Sequence, residues 1–307
     1  MSIALRKITS WQLRTRALEL GRRTLVMGVV NITPDSFSDG GLFFDPKAAV
    51  AHGLQLLEEG ADLLDLGAES TRPGSQAGGA GSAGADAVSA EEEQARLLPV
   101  LKGILSARPD AIVSADTYKA ATARAALEAG AEIVNDVSGF NWDAGMAAEC
   151  AEFKCGVVLM HSRGRPEEWK AQAQLEPNEL LETVRDGLAV SLASAARVGV
   201  AAARVVLDPG YGFGKKFDEN YALLARQDEL LSLGRPLLAG VSRKSFLGHT
   251  LAGLHEGQAA PVSARETAGI AAMVASILNG ASIVRVHSVR PAVEAALIAD
   301  AVLGMQA

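Results

Sequence analysis

Apolar positions along the chain fall into two alternating rhythms. Short aliphatic runs are each followed by a polar break, then by a longer stretch with apolar residues three and four apart. The first run, residues 25–30, reads as a buried strand that empties into Asn31, Thr33, Pro34, Asp35, Ser36, Ser38, Asp39, Gly40 and Gly41. Residues 45–60 then read as a helix. Asp45 can cap it, Pro46 suits its first turn, Val50, Leu54 and Leu57 share a face, and Gly60 ends it. The unit recurs as strand 62–67 with helix 90–107, strand 111–115 with helix 119–129, and strand 132–137 with helix 143–153. It continues as strand 156–160 with helix 178–198, and strand 204–207 with helix 219–233. Strand 236–241 with helix 264–279 and strand 282–286 with helix 291–303 complete the series.

About eight strand–helix units predict a single-domain (β/α)8 barrel over residues 25–307. The strands are short and β-branched, as parallel strands buried on both faces should be. A doubly wound open sheet competes, but no dinucleotide-binding glycine fingerprint opens the chain. Residues 1–24 form an amphipathic N-terminal extension that reads equally as a hairpin or a short helix closing one end of the core. Two flexible loops are expected, at 31–44 and 71–88. Within the second, residues 74–87 are almost pure Gly, Ala and Ser, which reads as a lid over the catalytic face or as a solvated insertion.

Composition refines this. Across 307 residues, 49% hydrophobic content with only 5% aromatics implies a large aliphatic core, and 31 glycines imply many tight turns. A net charge of −7 argues against nucleic acid or an anionic membrane as partner. An anionic small substrate therefore needs a local basic cluster. Cys150 and Cys155 read as buried apolar residues in a reducing compartment rather than as a disulfide framework. No signal peptide or spanning run is evident, so a soluble cytoplasmic protein is expected.

Polar residues gather where each predicted strand stops: Asn31; Glu69 to Pro73; Asp116; Asn135 and Asp136; His161; Asp208 and the run GYGFGK; Ser242 to Ser245; Arg285 and His287. Singly, each is explained by a cap or a turn. A barrel, however, brings those strand ends around one mouth. Asp116, Asn135, Asp208 and Lys244 supply carboxylates, an amide and an ammonium, the mixture that recognises a flat amino-oxo heterocycle such as a pterin. Asn31, Arg72, Arg285 and His287 suit phosphate oxygens, with Asn31 also able to help hold a divalent ion. The run 210–216 lacks phosphate-loop spacing, so its glycines are read as allowing a tight loop that aims Phe213 and Lys215.

These stretches carry a resemblance. The segments GVVNITPDSFSDGG (28–41), ESTRPG (69–74), SADTYKA (114–120), IVNDVSG (133–139), LMH (159–161), LDPGYGFGK (207–215), SRKSFLG (242–248) and RVH (285–287) resemble the dihydropteroate synthases, in order and spacing, from about Leu25 onward. The resemblance implies a dimeric (β/α)8 transferase that condenses 6-hydroxymethyl-7,8-dihydropterin diphosphate with 4-aminobenzoate, giving 7,8-dihydropteroate and diphosphate. Motif by motif, it implies that Asp116, Asn135, Asp208 and Lys244 bind the pterin. Asn31 would contact magnesium and diphosphate, while Arg72, Arg285 and His287 anchor the diphosphate. Thr71, Pro73, Phe213, Lys244 and Ser245 would wall the aminobenzoate pocket, where sulfonamides also bind. Asp35 and Ser36 would sit on a closing loop, with Asp35, Lys244, Arg285 and His287 serving the reaction. The chain departs from the pattern at Ser288, where an acid commonly follows the last histidine, which leaves His287 without an expected partner. It departs also after His161, and in the insertion after Gly74. A methyltetrahydrofolate–corrinoid methyltransferase-like barrel and a non-catalytic pterin-binding paralogue are the competing functions. The first has no use for SRKSFLG; the second should show damaged anchors.

Overall fold

A computed structural model describes residues 6–33, 45–70 and 88–305. It opens with an antiparallel hairpin, β1 (Thr9–Gln12) and β2 (Ala17–Leu20), and continues with β3 (Leu25–Asn31), α1 (Pro46–Glu58), β4 (Leu63–Gly67), α2 (Ala90–Ala107), β5 (Val113–Asp116), α3 (Ala120–Glu128), β6 (Ile133–Asp136) and α4 (Met146–Phe153). Then come β7 (Gly156–Met160), α5 (Pro177–Arg197), β8 (Val205–Asp208), α6 (Phe217–Ala225), β9 (Leu237–Ala239), α7 (Ser245–Thr250), α8 (Glu266–Leu278), β10 (Ala281–Val286) and α9 (Val289–Gly304). Strands β3 to β10 pair in parallel and close into an eight-stranded barrel, β10 returning to β3.

Local chemistry starts and stops these elements as the sequence suggests. Asp45 accepts from Lys47 N at 2.9 Å to cap α1, Pro46 fills its first turn, and Gly60 leaves it at φ +105°. Ser89 caps α2. Two helical expectations change. The stretch 219–233 divides into α6 and a 3-10 segment, Gln227–Leu233. Gln227 is fully buried there, accepting from Tyr211 Oη at 2.7 Å and donating to the carbonyls of Ser276 and Asn279, so tertiary bonding breaks the helix. The six-residue α7 was too short for its periodicity to register.

The N-terminal segment resolves as the hairpin rather than a helix. Trp11, Leu13 and Leu20 plug the N-terminal end of the barrel against the inward-facing Leu25, Met27, Leu63, Ile133, Val158, Val206, Leu238 and Ile283. Trp11 Nε1 donates to Arg204 O at 2.8 Å, and Thr15 N to Glu132 at 2.8 Å. Outward-facing strand residues pack on the helices in a second, larger core. Cys150 and Cys155 are both buried free thiols in it. Among the described residues no helix is long and apolar enough to cross a membrane.

Candidate active site

The apolar plug fixes the parity of every strand. Side chains alternate with period two, so the residue two beyond an inward Ile133, Val206 or Ile283 also faces inward. Those residues are Asn135, Asp208 and Arg285, all at the carboxyl ends. The same parity carries Leu63 to Asp65 and on to Gly67, and Ser114 to Asp116. Arg285 binds across the floor so formed: its Nε donates to Asp65 Oδ2 at 2.6 Å and its Nη2 to Asp116 Oδ2 at 2.6 Å. Asn135 Nδ2 donates to the same Asp65 oxygen at 2.9 Å. Asp208 takes Gly210 N at 2.7 Å. Small residues keep the floor open. A Cβ on Gly67 would stand 3.2 Å from Asp116 Oδ2, and one on Gly240 would stand between Asp208 and Arg285.

Asp65 was missed by the strand-end reading because it lies two residues inside its strand. An acid within an apolar strand was itself the signal, since a buried carboxylate requires partners. It is fully buried, and its Oδ1 and the neighbouring Ser114 Oγ have no hydrogen-bond partner among the described residues.

Burial dominates the electrostatics. It raises Asp116 to about 7, against the pull of Arg285 and with help from Asp65. It raises Asp208 as well. It lowers Lys244 to about 8, with Asp208 drawing it back up. Burial alone would lower Arg285, but Asp65 and Asp116 outweigh it and hold the guanidinium charged. The floor thus sets Asp116, an acceptor that can gain a proton near neutrality, beside a fixed cation.

The rim comes from the loops beyond β8, β9 and β10. Gly210, Gly212 and Gly214 all lie at left-handed φ, between 70° and 80°, and the tight loop they allow presents Phe213. Lys244 Nζ stands 4.1 Å from the Phe213 ring centroid, and Ser245 is exposed beside it at the start of α7. His287 Nδ1 shares a 3.0 Å hydrogen bond with Ser242 Oγ. The partner that Ser288 cannot provide therefore arrives from the preceding strand's loop. Asn31 ends β3 half-buried, alongside Gly67.

Four residues leave the strand-end cluster. Asp136 turns outward and accepts from Ser138 N and Phe140 N, both at 2.8 Å, building the loop after β6. His161 is buried against Gly187 of α5, where an added Cβ would sit 2.5 Å from its ring. Lys215, on the same loop as Phe213, turns inward beneath it. Glu69 pairs with Lys119, which also reaches the buried Glu93 at 3.3 Å. Asp35, Ser36, Thr71, Arg72, Pro73 and the insertion after Gly74 lie outside the described residues.

Fold and site together have the form of a pterin-binding barrel, and the family model for pterin binding enzymes matches residues 27–287. The dihydropteroate synthase of Mycobacterium leprae is 43% identical over 278 residues, covering 90% of this chain and 92% of that protein. The structure of Xanthomonas albilineans dihydropteroate synthase with 4-aminobenzoic acid matches with TM-score 0.82 at 38% identity, covering 96% and 98% of the two chains. That of the same organism's enzyme in complex with 7,8-dihydropteroate matches with TM-score 0.79 at 36% identity, covering 95% and 98%. The chain belongs to the pterin-binding enzyme family and, within it, to the dihydropteroate synthases, transferases of folate biosynthesis.

Proposed function

We propose that the floor of this cup holds the dihydropterin ring and its rim holds the diphosphate and 4-aminobenzoate. The observation that carries the reading is the Arg285 guanidinium spanning Asp65 and Asp116 beside Asn135 and Asp208. Asp116 and Asp208 offer acceptors to the ring NH and NH2 groups, Asn135 an amide that both donates and accepts, and Lys244 a donor to a ring nitrogen or oxo group. Two of the five N–H donors of Arg285 are engaged below, which leaves three for phosphate oxygens above. His287, steadied by Ser242, adds a further donor, and Arg72 completes the anionic subsite. Phe213, Lys244, Ser245, Thr71 and Pro73 wall the arylamine pocket.

Among the described residues no three His, Cys, Asp or Glu side chains cluster as a resident metal site. Asn31 makes no side-chain hydrogen bond to the described residues, and its amide oxygen fits a magnesium ion carried in on the diphosphate, which would neutralise charge on the leaving group. The residues of this chain do the rest. Arg285, Arg72 and His287 receive the charge that develops as the C–O bond of the pterin methylene breaks. The dihydropterin ring delocalises the cation, Asp35 stabilises it, and the neutral amine of 4-aminobenzoate attacks, its surplus N–H proton passing to the departing diphosphate. Water would capture the same cation, so the loops at 31–44 and 71–88 serve to exclude it. We propose further that the enzyme acts in the cytoplasm as a homodimer, a state favoured by the exposed stripe Leu297, Ile298, Val302 and Met305 on and just beyond α9.

The test is diphosphate release from the dihydropterin diphosphate, with and without 4-aminobenzoate and magnesium. Release that needs all three components is expected. Release indifferent to 4-aminobenzoate would overturn the reading.

A further inference from the structure

Lys215 is the only fully buried lysine among the described residues, at 7% exposure, and it makes no ion pair among them. Its ammonium donates instead to three backbone carbonyls: Gly210 at 2.8 Å, His161 at 3.2 Å and Phe213 at 3.3 Å. Three protons thus meet three acceptors. An apolar residue of similar length would fill the space without the cost of burying a charge, so the ammonium has work beyond packing. The carbonyls belong to two different loops, His161 to the one after β7, Gly210 and Phe213 to the one after β8. The second loop has three glycines at left-handed φ, which leaves it little stiffness of its own. Other ties, from Gly212 N to Asn220 Oδ1 at 2.7 Å and from Arg163 N to Phe213 O at 3.4 Å, hold its outer side. Gly210 N to Asp208 Oδ1 and Tyr211 Oη to Gln227 Oε1, both at 2.7 Å, hold it from within, and Lys215 adds the tie to the His161 carbonyl of the other loop. The Phe213 ring, set edge-on against Trp169 at 5.2 Å, depends on that support for its place under Lys244.

We propose that Lys215 is a positioning residue for the aminobenzoate half of the reaction, its ammonium tying the loops after β7 and β8 together and so fixing the Phe213 wall. The inference rests on the assignment of Phe213 to the arylamine pocket. It has a pH signature that a neutral strut would lack. Burial lowers the Lys215 pKa to about 7, with Asp208 raising it, Arg163 and Lys244 lowering it and Glu219 raising it. His161 carries no charge to compete, since burial, then Lys215 and Arg163, hold its pKa well below the usual imidazole range. As pH rises through about 7 the amine loses a proton, one carbonyl loses its donor, and a nitrogen lone pair faces an oxygen.

The experiment measures KM for both substrates in the wild type, Lys215→Met and Lys215→Arg from about pH 6 to about pH 9, with thermal unfolding to establish folding. Lys215→Met should raise KM for 4-aminobenzoate about tenfold and move that for the dihydropterin diphosphate by less than about twofold. In the wild type the 4-aminobenzoate KM should climb above about pH 7 relative to the pterin KM. Lys215→Arg, whose charge does not titrate, should restore most of the affinity and flatten the climb. Asp116, which serves the pterin, and Lys244, which serves both substrates, titrate nearby and are unchanged in Lys215→Arg, so the difference between wild type and Lys215→Arg in the ratio of the two KM values isolates Lys215. If Lys215→Met does not fold, the comparison of the wild type with Lys215→Arg decides alone. Equal movement of both KM values in Lys215→Met, or a ratio with the same pH dependence in the wild type and Lys215→Arg, overturns the role of Lys215. Absence of any aminobenzoate-dependent turnover in the wild type instead sinks the assignment beneath it.

Discussion

Asp65→Asn isolates the part of the floor that strand-end reasoning did not reach. The substitution keeps the shape and leaves one oxygen, which can still accept from Asn135, but removes the charge that Arg285 Nε meets at 2.6 Å. Stranding a buried cation altogether costs about 3–5 kcal/mol. Here Arg285 keeps Asp116 at 2.6 Å, so the loss should be that of one charge-assisted hydrogen bond, about 1.5–3 kcal/mol. Equilibrium urea unfolding reads it directly. A second readout concerns sign. The Asp65 charge is among the causes holding Asp116 up at about 7, and Arg285 opposes it. Neutralising Asp65 removes that repulsion and turns Arg285 wholly toward Asp116, so both effects lower the Asp116 pKa. A drop of about one pH unit corresponds to about 1.4 kcal/mol, in proportion to the hydrogen bond lost. If Asp116 is the pterin acceptor, the affinity of the wild type for a dihydropterin, followed by calorimetry, should weaken as pH falls below about 7. In Asp65→Asn the same decline should begin at lower pH. An inflection that stays put or moves upward would refute the electrostatic account, and unchanged urea stability would refute the structural one.

Two other substitutions probe the rim and the far end of the barrel. Lys244→Ala should weaken dihydropterin and 4-aminobenzoate binding together, by about 1–3 kcal/mol each, and damage on one side only would count against its shared role. Burial brings Lys244 to about 8 in the wild type, so its charge is present below that pH and lost above it; kcat/KM for both substrates should fall through that range, a limb the alanine variant should lack. Trp11→Ala empties the plug beneath the floor and deletes the hydrogen bond to Arg204 O, which should cost about 3–5 kcal/mol in urea unfolding. KM values of the folded fraction should hardly change, since Trp11 lies at the opposite end of the barrel. A cost below about 1 kcal/mol would show that the floor stands without the hairpin.

What the sequence discloses and what it withholds divide along a physical line. Strands β3 to β10 all lie within two residues of where apolar spacing puts them, because buried parallel strands need continuous apolar runs and glycine or proline marks their ends. Asp116, Asn135, Asp208 and Arg285 were legible as a ring for the same reason, since strand ends in a closed barrel have nowhere else to converge. What escaped depends on partners that spacing cannot name. Asp65 finds Arg285 across 220 positions of chain, and Gln227 breaks its helix for carbonyls about fifty residues on. His287 shows the converse. Its local partner is missing at Ser288, yet Ser242, 45 residues earlier, supplies one through the neighbouring strand. Lys215 and Phe213 sit two apart on a glycine loop, and sequence alone gave both the same direction. The loop's left-handed turns send one ring outward and one ammonium down, and only the three carbonyls waiting below decide which is which. A buried charge in a sequence therefore announces that a partner exists, and the topology then determines which one. For this barrel that makes Asp65 and Lys215 the positions where mutation tests the site most sharply, because neither has a role that packing alone explains.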